Sequence, residues 1–209
     1  MKEFIKKNLK WFILLVCLVG FLKLAEDVFS KEILRADIVG YDLISSFLIS
    51  DFATPIAKLI TNFGGALVLI GTTIVLVISI KNRRIGLSII ANLGIITGLN
   101  IVLKQIVQRP RPTEYRIVNE TGYSFPSGHS MVSMAFYGFL IYLIYKYVKN
   151  QYLKIGLITF LSILIISIGI SRIYLGVHYT SDVMAGFCIS VSYLVLYISS
   201  VSNWIKASD

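Results

Sequence analysis

The sequence predicts an all-α polytopic membrane protein: a bundle of six transmembrane helices, with short interfacial helices after the first span. Three observations carry this. Of 209 residues, 56% are hydrophobic and only 15% are charged, against about 25% charged in an ordinary soluble domain. The apolar residues gather into six runs near the spanning length, and crossing the hydrocarbon takes about 20 mostly apolar residues. The charged residues fall mainly between the runs. The length suits one membrane domain over 1–209 and leaves little room for a separate soluble module.

The runs are 11–29, 63–80, 85–103, 130–147, 155–171 and 183–204. Lys23, Glu26 and Asp27 interrupt the far end of the first, which is expected to reach the interface or to face protein. The basic start MKEFIKKNLK ahead of WFILLVCLVGFL resembles a signal peptide. No A-x-A-like cleavage site follows, so a retained first span is expected. Residues 36–62 are too polar to span. Their apolar spacing, with Thr54-Pro55 as cap and first-turn pair, predicts short interfacial helices. Gly94-x-x-x-Gly98 in the third run matches a close helix-packing pattern.

Orientation follows from the basic residues. The side holding both termini collects 11 Lys and Arg against 9 on the other, or against 6 once Lys104, Arg111 and Arg172 are set aside as site residues. The positive-inside rule then places both termini in the cytoplasm and the segments 104–128 and 171–182 outside. The same rule explains the formal charge of +9 without nucleic acid as a partner. Cys17 and Cys188 lie inside apolar runs, where they indicate neither a disulfide framework nor a metal site.

Three polar islands stand at that outer face. The first runs from Lys104 to Pro112 and contains Arg111. The second is Pro126-Ser127-Gly128-His129, at the entrance of the fourth run. The third runs from Ser171 and Arg172 to His178 and Asp182. Lys104, Arg111 and Arg172 supply three cations, and the arginines grip phosphate oxygens bidentately. Ser127 and Gly128 are expected at a helix start, where free N–H groups and the helix dipole favour an anion. His178 and Asp182 are four apart, so a helix would stack them on one face. A carboxylate there holds the imidazole in one tautomer.

Taken singly, each feature has an ordinary explanation: a solvated basic loop, a snorkelling lysine, a structural histidine, an aspartate helix cap. Their joint occurrence is what points to chemistry. Both histidines of the chain fall beside three cations and a helix-start glycine. That set is suited to phosphoryl transfer through a covalent phosphohistidine.

Lys-x6-Arg-Pro (Lys104 to Pro112), Pro-Ser-Gly-His (126–129) and Ser-Arg-x5-His-x3-Asp (171–182) together resemble the three-part signature of the type 2 phosphatidic acid phosphatase superfamily. The resemblance covers roughly 60–200 in order and spacing. It implies an integral membrane lipid phosphatase. His178 would be the nucleophile, oriented by Asp182. His129 would protonate the leaving oxygen and later help activate water. Lys104, Arg111, Ser127, Gly128 and Arg172 would bind phosphate. No cofactor and no metal is implied, and Asp182, Glu114 and Glu120 show no metal-ligand spacing.

The expected partners are the bilayer and a membrane lipid phosphate: undecaprenyl diphosphate, phosphatidylglycerophosphate or phosphatidic acid. The segments 36–62 and 113–125 are expected to shape its lateral entrance. Phosphotransfer to another lipid from the same pocket is the alternative within enzymes. A silent transporter or scaffold is the alternative outside them, although degenerate members would be expected to lose a histidine or the aspartate. The soluble, longer vanadium haloperoxidases resemble this chain in the pocket alone.

Overall fold

The computed structural model describes residues 2–30 and 35–206, and among these the chain is helical with no strand. The helices are α1 (Lys2–Phe29), α2 (Arg35–Leu48), α3 (Ala53–Asn62), α4 (Ala66–Ser79), α5 (Arg83–Val107), α6 (Gly128–Tyr147), α7 (Gln151–Tyr174) and α8 (Thr180–Lys206). α6 is central and packs on α5, α7 and α8, while α1 lies along α8 and α2 and α3 cover one end of α7.

The starts of α5 and α7 are set by local signals. The Asn82 side chain accepts from the N–H groups of Arg84 and Ile85 at 3.0 and 3.3 Å, and Asn150 accepts from Leu153 at 3.0 Å. Each satisfies donors that a helix start leaves unpaired. Phe136, Phe139, Ile165, Ile168 and Tyr197 fill the bundle interior. Leu67, Ile70, Ile78, Ile101, Ile163 and Ile166 remain exposed, a continuous apolar exterior that suits lipid rather than water.

Helices α5 to α8 are each long and apolar enough to cross a membrane, and α3 with α4 makes a fifth candidate bent by 50°. The expected count of six is not reached by these elements; α1 covers the remaining run. The second expected span also has a different build. Instead of one helix over 63–80, α4 is 14 residues long and is joined to α3 across Phe63, Gly64 and Gly65. Tyr137 donates to the Phe63 carbonyl at 2.7 Å, satisfying an acceptor at the break. Part of the segment read as interfacial therefore belongs to the bent pair.

Two smaller expectations are corrected. α3 begins at Ala53, and Ser50 Oγ accepts the Ala53 N–H at 3.1 Å, so Thr54 is not the cap. Thr54 instead meets the Tyr174 hydroxyl at 2.9 Å. Gly94 and Gly98 are not a packing seam: a Cβ on either would meet no atom within 4 Å. They open onto the cleft described below.

Candidate active site

Backbone and side-chain bonds draw the three polar islands together at one end of the bundle. Ser127 N–H donates to the Asp182 carbonyl at 3.0 Å, and Ile117 N–H donates to the Leu175 carbonyl at 3.1 Å. Lys104 Nζ donates to the carbonyls of Tyr123 and Ser124. Arg111 Nη1 donates to the Val177 carbonyl at 3.0 Å. All eight sequence-predicted residues lie in this region.

His178 sits in the turn between α7 and α8, not on a helix as its spacing to Asp182 implied. The turn needs Gly176, whose φ is 67° and whose Cβ would collide with the Tyr115 carbonyl. Such a position favours glycine. Asp182, in the first turn of α8, reaches back: its Oδ2 lies 3.3 Å from His178 Nδ1 and accepts the Tyr179 N–H at 2.9 Å. Arg111 Nη1 is 3.1 Å from His178 Nε2. Arginine only donates and a carboxylate only accepts, so Nδ1 carries the hydrogen and Nε2 presents a lone pair. Burial disfavours the imidazolium more than Asp182 favours it, with Arg172 and Arg111 adding to the effect, and the pKa falls to about 4. At neutral pH the ring is uncharged.

The cations form the wall of the cradle. Arg172, 1% exposed, donates from Nη1 to Thr61 Oγ1 and from Nη2 to Glu120 Oε1, both at 2.7 Å, while its buried Nε has no partner. Glu120 also lies 3.9 Å from Arg111. Burial alone would raise the Glu120 pKa, but the hydrogen bond and charge of Arg172 outweigh it and hold the carboxyl ionised. An internal carboxylate therefore occupies two of the three cations.

Ser127 is the N-cap of α6, whose first residue is Gly128. Its Oγ accepts from the Ser130 N–H at 3.4 Å and the Ser130 hydroxyl at 2.9 Å. The Ser127 hydroxyl proton has no acceptor among the described residues and can be donated to a ligand. Its amide is committed to Asp182, so the amides of Gly128 and His129 supply the helix-start donors. A Cβ on Gly128 would sit 3.0 Å from Asn100 Oδ1, too close for an easy fit. The peptide bond before Pro126 is cis. His129 makes no hydrogen bond among the described residues and lies against the bend at Gly64 and Gly65.

Sequence reasoning passed over Arg109. It donates to Asp182 Oδ1 at 2.7 Å, Ser181 Oγ at 2.8 Å and Asp37 Oδ2 at 2.8 Å, with its guanidinium 3.9 Å from the Tyr179 ring centre. Burial works against its charge, but Asp182 and Asp37 prevail and raise the pKa. Asp37 and Thr61 were likewise unflagged, and Glu120 stood out only as a carboxylate without metal-ligand spacing. The repeated Arg-Pro in 109–112 was the one available signal.

Two hollows adjoin the site. A cleft of about 880 Å³ runs between α4, α5 and α6, lined by Leu69, Ile74, Ile90, Gly98, Gly128 and His129 among others. A second, of about 480 Å³, adjoins His178 and is lined by Asp37, Tyr41, Asp42, Glu114 and Tyr115. Residues of both 36–62 and 113–125 line this second hollow, while the first lies between α4, α5 and α6. Among the described residues no group of three or more His, Cys, Asp or Glu is placed to hold a metal ion.

Several known proteins resemble this chain. Residues 84–206 match the model of the PAP2 superfamily. Phosphatidylglycerophosphatase B of Bacillus subtilis (strain 168) is 37% identical over 113 residues, 51% of this chain and 53% of that protein, so the match spans about half its length. An undecaprenyl-diphosphatase of Sulfolobus acidocaldarius is 28% identical over 151 residues, 68% of each chain. The crystal structure of a transmembrane PAP2 type phosphatidylglycerolphosphate phosphatase from Bacillus subtilis superposes with a TM-score of 0.79 at 26% identity, covering 92% of this chain and 97% of that one. The fold and the family match together establish that this chain belongs to the PAP2 superfamily.

Proposed function

We propose that the protein is an integral membrane lipid phosphatase working through a phosphohistidine on His178. One observation carries this: a neutral histidine has its Nε2 lone pair against Arg111, with Arg172 close by, and the second histidine, His129, opens onto an apolar cleft. A lipid phosphate fits both halves. Its chains occupy the cleft and its phosphate displaces Glu120 from the arginines.

His178 Nε2 then attacks phosphorus as the bond to the leaving oxygen breaks. His129 protonates that oxygen; the arriving phosphate anion favours the proton His129 must carry. Lys104, Arg111, Arg172, the Ser127 hydroxyl and the α6 amides starting at Gly128 stabilise the charge on the equatorial oxygens. His129 next takes a proton from water, whose oxygen attacks phosphorus and breaks the N–P bond. Inorganic phosphate leaves and His178 is restored. Asp182 holds Nδ1–H throughout. No step in this scheme calls on a metal.

The topology proposed with it has α1 as a sixth span, both termini in the cytoplasm and the site at the outer face. The distribution of Lys and Arg supports this. Undecaprenyl diphosphate, phosphatidylglycerophosphate and phosphatidic acid are the candidate substrates, since two relatives carry the first two in their names. Phosphotransfer to a second lipid uses the same first step and differs only in the acceptor.

The test is phosphate release from those three lipids by purified protein, with His178→Ala as control. At least one lipid should be hydrolysed, and the variant should be inactive. A fully active His178→Ala protein would sink the mechanism. Phosphate released in smaller amount than substrate consumed would favour transfer.

A further inference from the structure

We infer that Asp37 and Arg109 are positioning residues for the nucleophile, and that α2 is thereby coupled to the reaction. The inference rests on the phosphohistidine reading above. Asp37, Arg109, Asp182 and His178 form a row of alternating charge ending on the imidazole. Its links measure 2.8, 2.7 and 3.3 Å, and the four side chains are 1%, 8%, 0% and 1% exposed. The row is locked to the start of α8, because Asp37 Oδ1 accepts the Ser181 N–H at 2.8 Å and Arg109 donates to the Ser181 hydroxyl. The ring of Tyr179 covers the guanidinium.

The arrangement solves an electrostatic problem. Arg109 beside Asp182 fixes that carboxylate but also competes with His178 for its charge. Asp37, on the other branch of the guanidinium, takes up part of the arginine's charge and leaves Asp182 free to hold Nδ1–H. With His178 neutral the row carries one net negative charge. When the ring becomes cationic on accepting phosphorus, the row becomes neutral. A buried group of ions is most comfortable when balanced, so the row favours the covalent intermediate. Among the described residues, Asp37 and Arg109 make no hydrogen bond to Lys104, Arg111 or Arg172, so they act through Asp182 rather than on phosphate.

Two substitutions should move His178 in opposite directions. Asp37→Asn leaves Arg109 less balanced, disfavours the imidazolium and lowers its titration midpoint. Arg109→Met frees Asp182 and raises it. Each shift should be on the order of half to one pH unit. Arg111, Arg172, Asp42 and Glu114 also face His178, and both variants leave them in place. The chain has two histidines, so a His129→Gln background with a histidine-free tag leaves His178 as the single reporter. Nitrogen-15 NMR of histidine-labelled protein in detergent micelles then reads the midpoint without requiring turnover.

With His129 intact, kcat should fall about tenfold in Asp37→Asn, with KM changed less than about twofold. Shifts of the same sign, no shifts, or a loss confined to KM would overturn the inference. Should Arg109→Met fail to fold, the near-isosteric Asp37→Asn decides alone: an unchanged or raised midpoint refutes it. A wild-type protein that hydrolyses no lipid phosphate would defeat the proposed function, while the NMR midpoints would still judge the row.

Discussion

Asp182→Asn is the substitution whose consequence the geometry defines best. The carboxylate lies 3.3 Å from His178 Nδ1, and unit charges at that distance interact by about 5 kcal/mol at an effective dielectric of 20. Losing that attraction for the cationic ring slows its formation by roughly 10³–10⁴-fold. A second effect acts in the same direction. Arg109 claims the Oδ1 position at 2.7 Å, and an asparagine carbonyl turned to it sets the NH2 against both Nδ1 and the Tyr179 N–H that Oδ2 accepts. The imidazole is forced into the other tautomer, placing a hydrogen on Nε2 against the Arg111 N–H. Phosphate release by purified Asp182→Asn in detergent, with folding checked by thermal unfolding, measures the loss. A folded variant within about tenfold of wild type would refute the role given to Asp182.

Other outcomes follow from the same geometry. Glu120→Gln removes the internal carboxylate from Arg172 and Arg111, so inorganic phosphate should inhibit more tightly, by roughly fivefold for a partly exposed pair worth about 1 kcal/mol; weaker inhibition would contradict the competition. Gly98→Leu fills the apolar cleft at a position where a Cβ meets nothing. KM for a long-chain lipid phosphate should rise several-fold while hydrolysis of a short soluble ester is unchanged; equal effects on both would argue against the cleft as the lipid path. His178 titrates near 4 in the folded protein and near 6.5 unfolded. As pH falls the unfolded chain therefore takes up the proton first, and this stabilisation, full above 6.5, is lost between 6.5 and 4. The thermal midpoint should drop across that window, and less so for His178→Gln.

The parts of the site legible in the sequence were those written into helix ends. Lys104, Ser127, Gly128, His129, Arg172 and His178 sit within a turn or two of a span boundary, and alternation of spans is enough to bring such ends together. Asp37 and Arg109 were not legible, because their ion pair joins residues 72 apart and depends on where α2 lands. Nothing local marks Glu120 as the partner of Arg172, 52 residues away. Local spacing also misled in places. The i,i+4 interval of His178 and Asp182 matches a helix face, yet the pair meets across a turn that Gly176 permits. Gly94 and Gly98 fit a packing motif, yet they line an opening. The bend between α3 and α4 was signalled only by Gly64-Gly65, and an apolar window that starts there hides the break.

The most direct test of the mechanism is to trap the covalent intermediate. Purified protein mixed with a lipid substrate labelled in its terminal phosphate, quenched in alkali and mapped by mass spectrometry, should carry the phosphoryl group on His178. The labelled fraction should increase in His129→Gln if its hydrolysis is slowed more than its formation. A protein that turns over lipid phosphate while His178 stays unlabelled in both forms, or that carries the label on another residue, would contradict the mechanism.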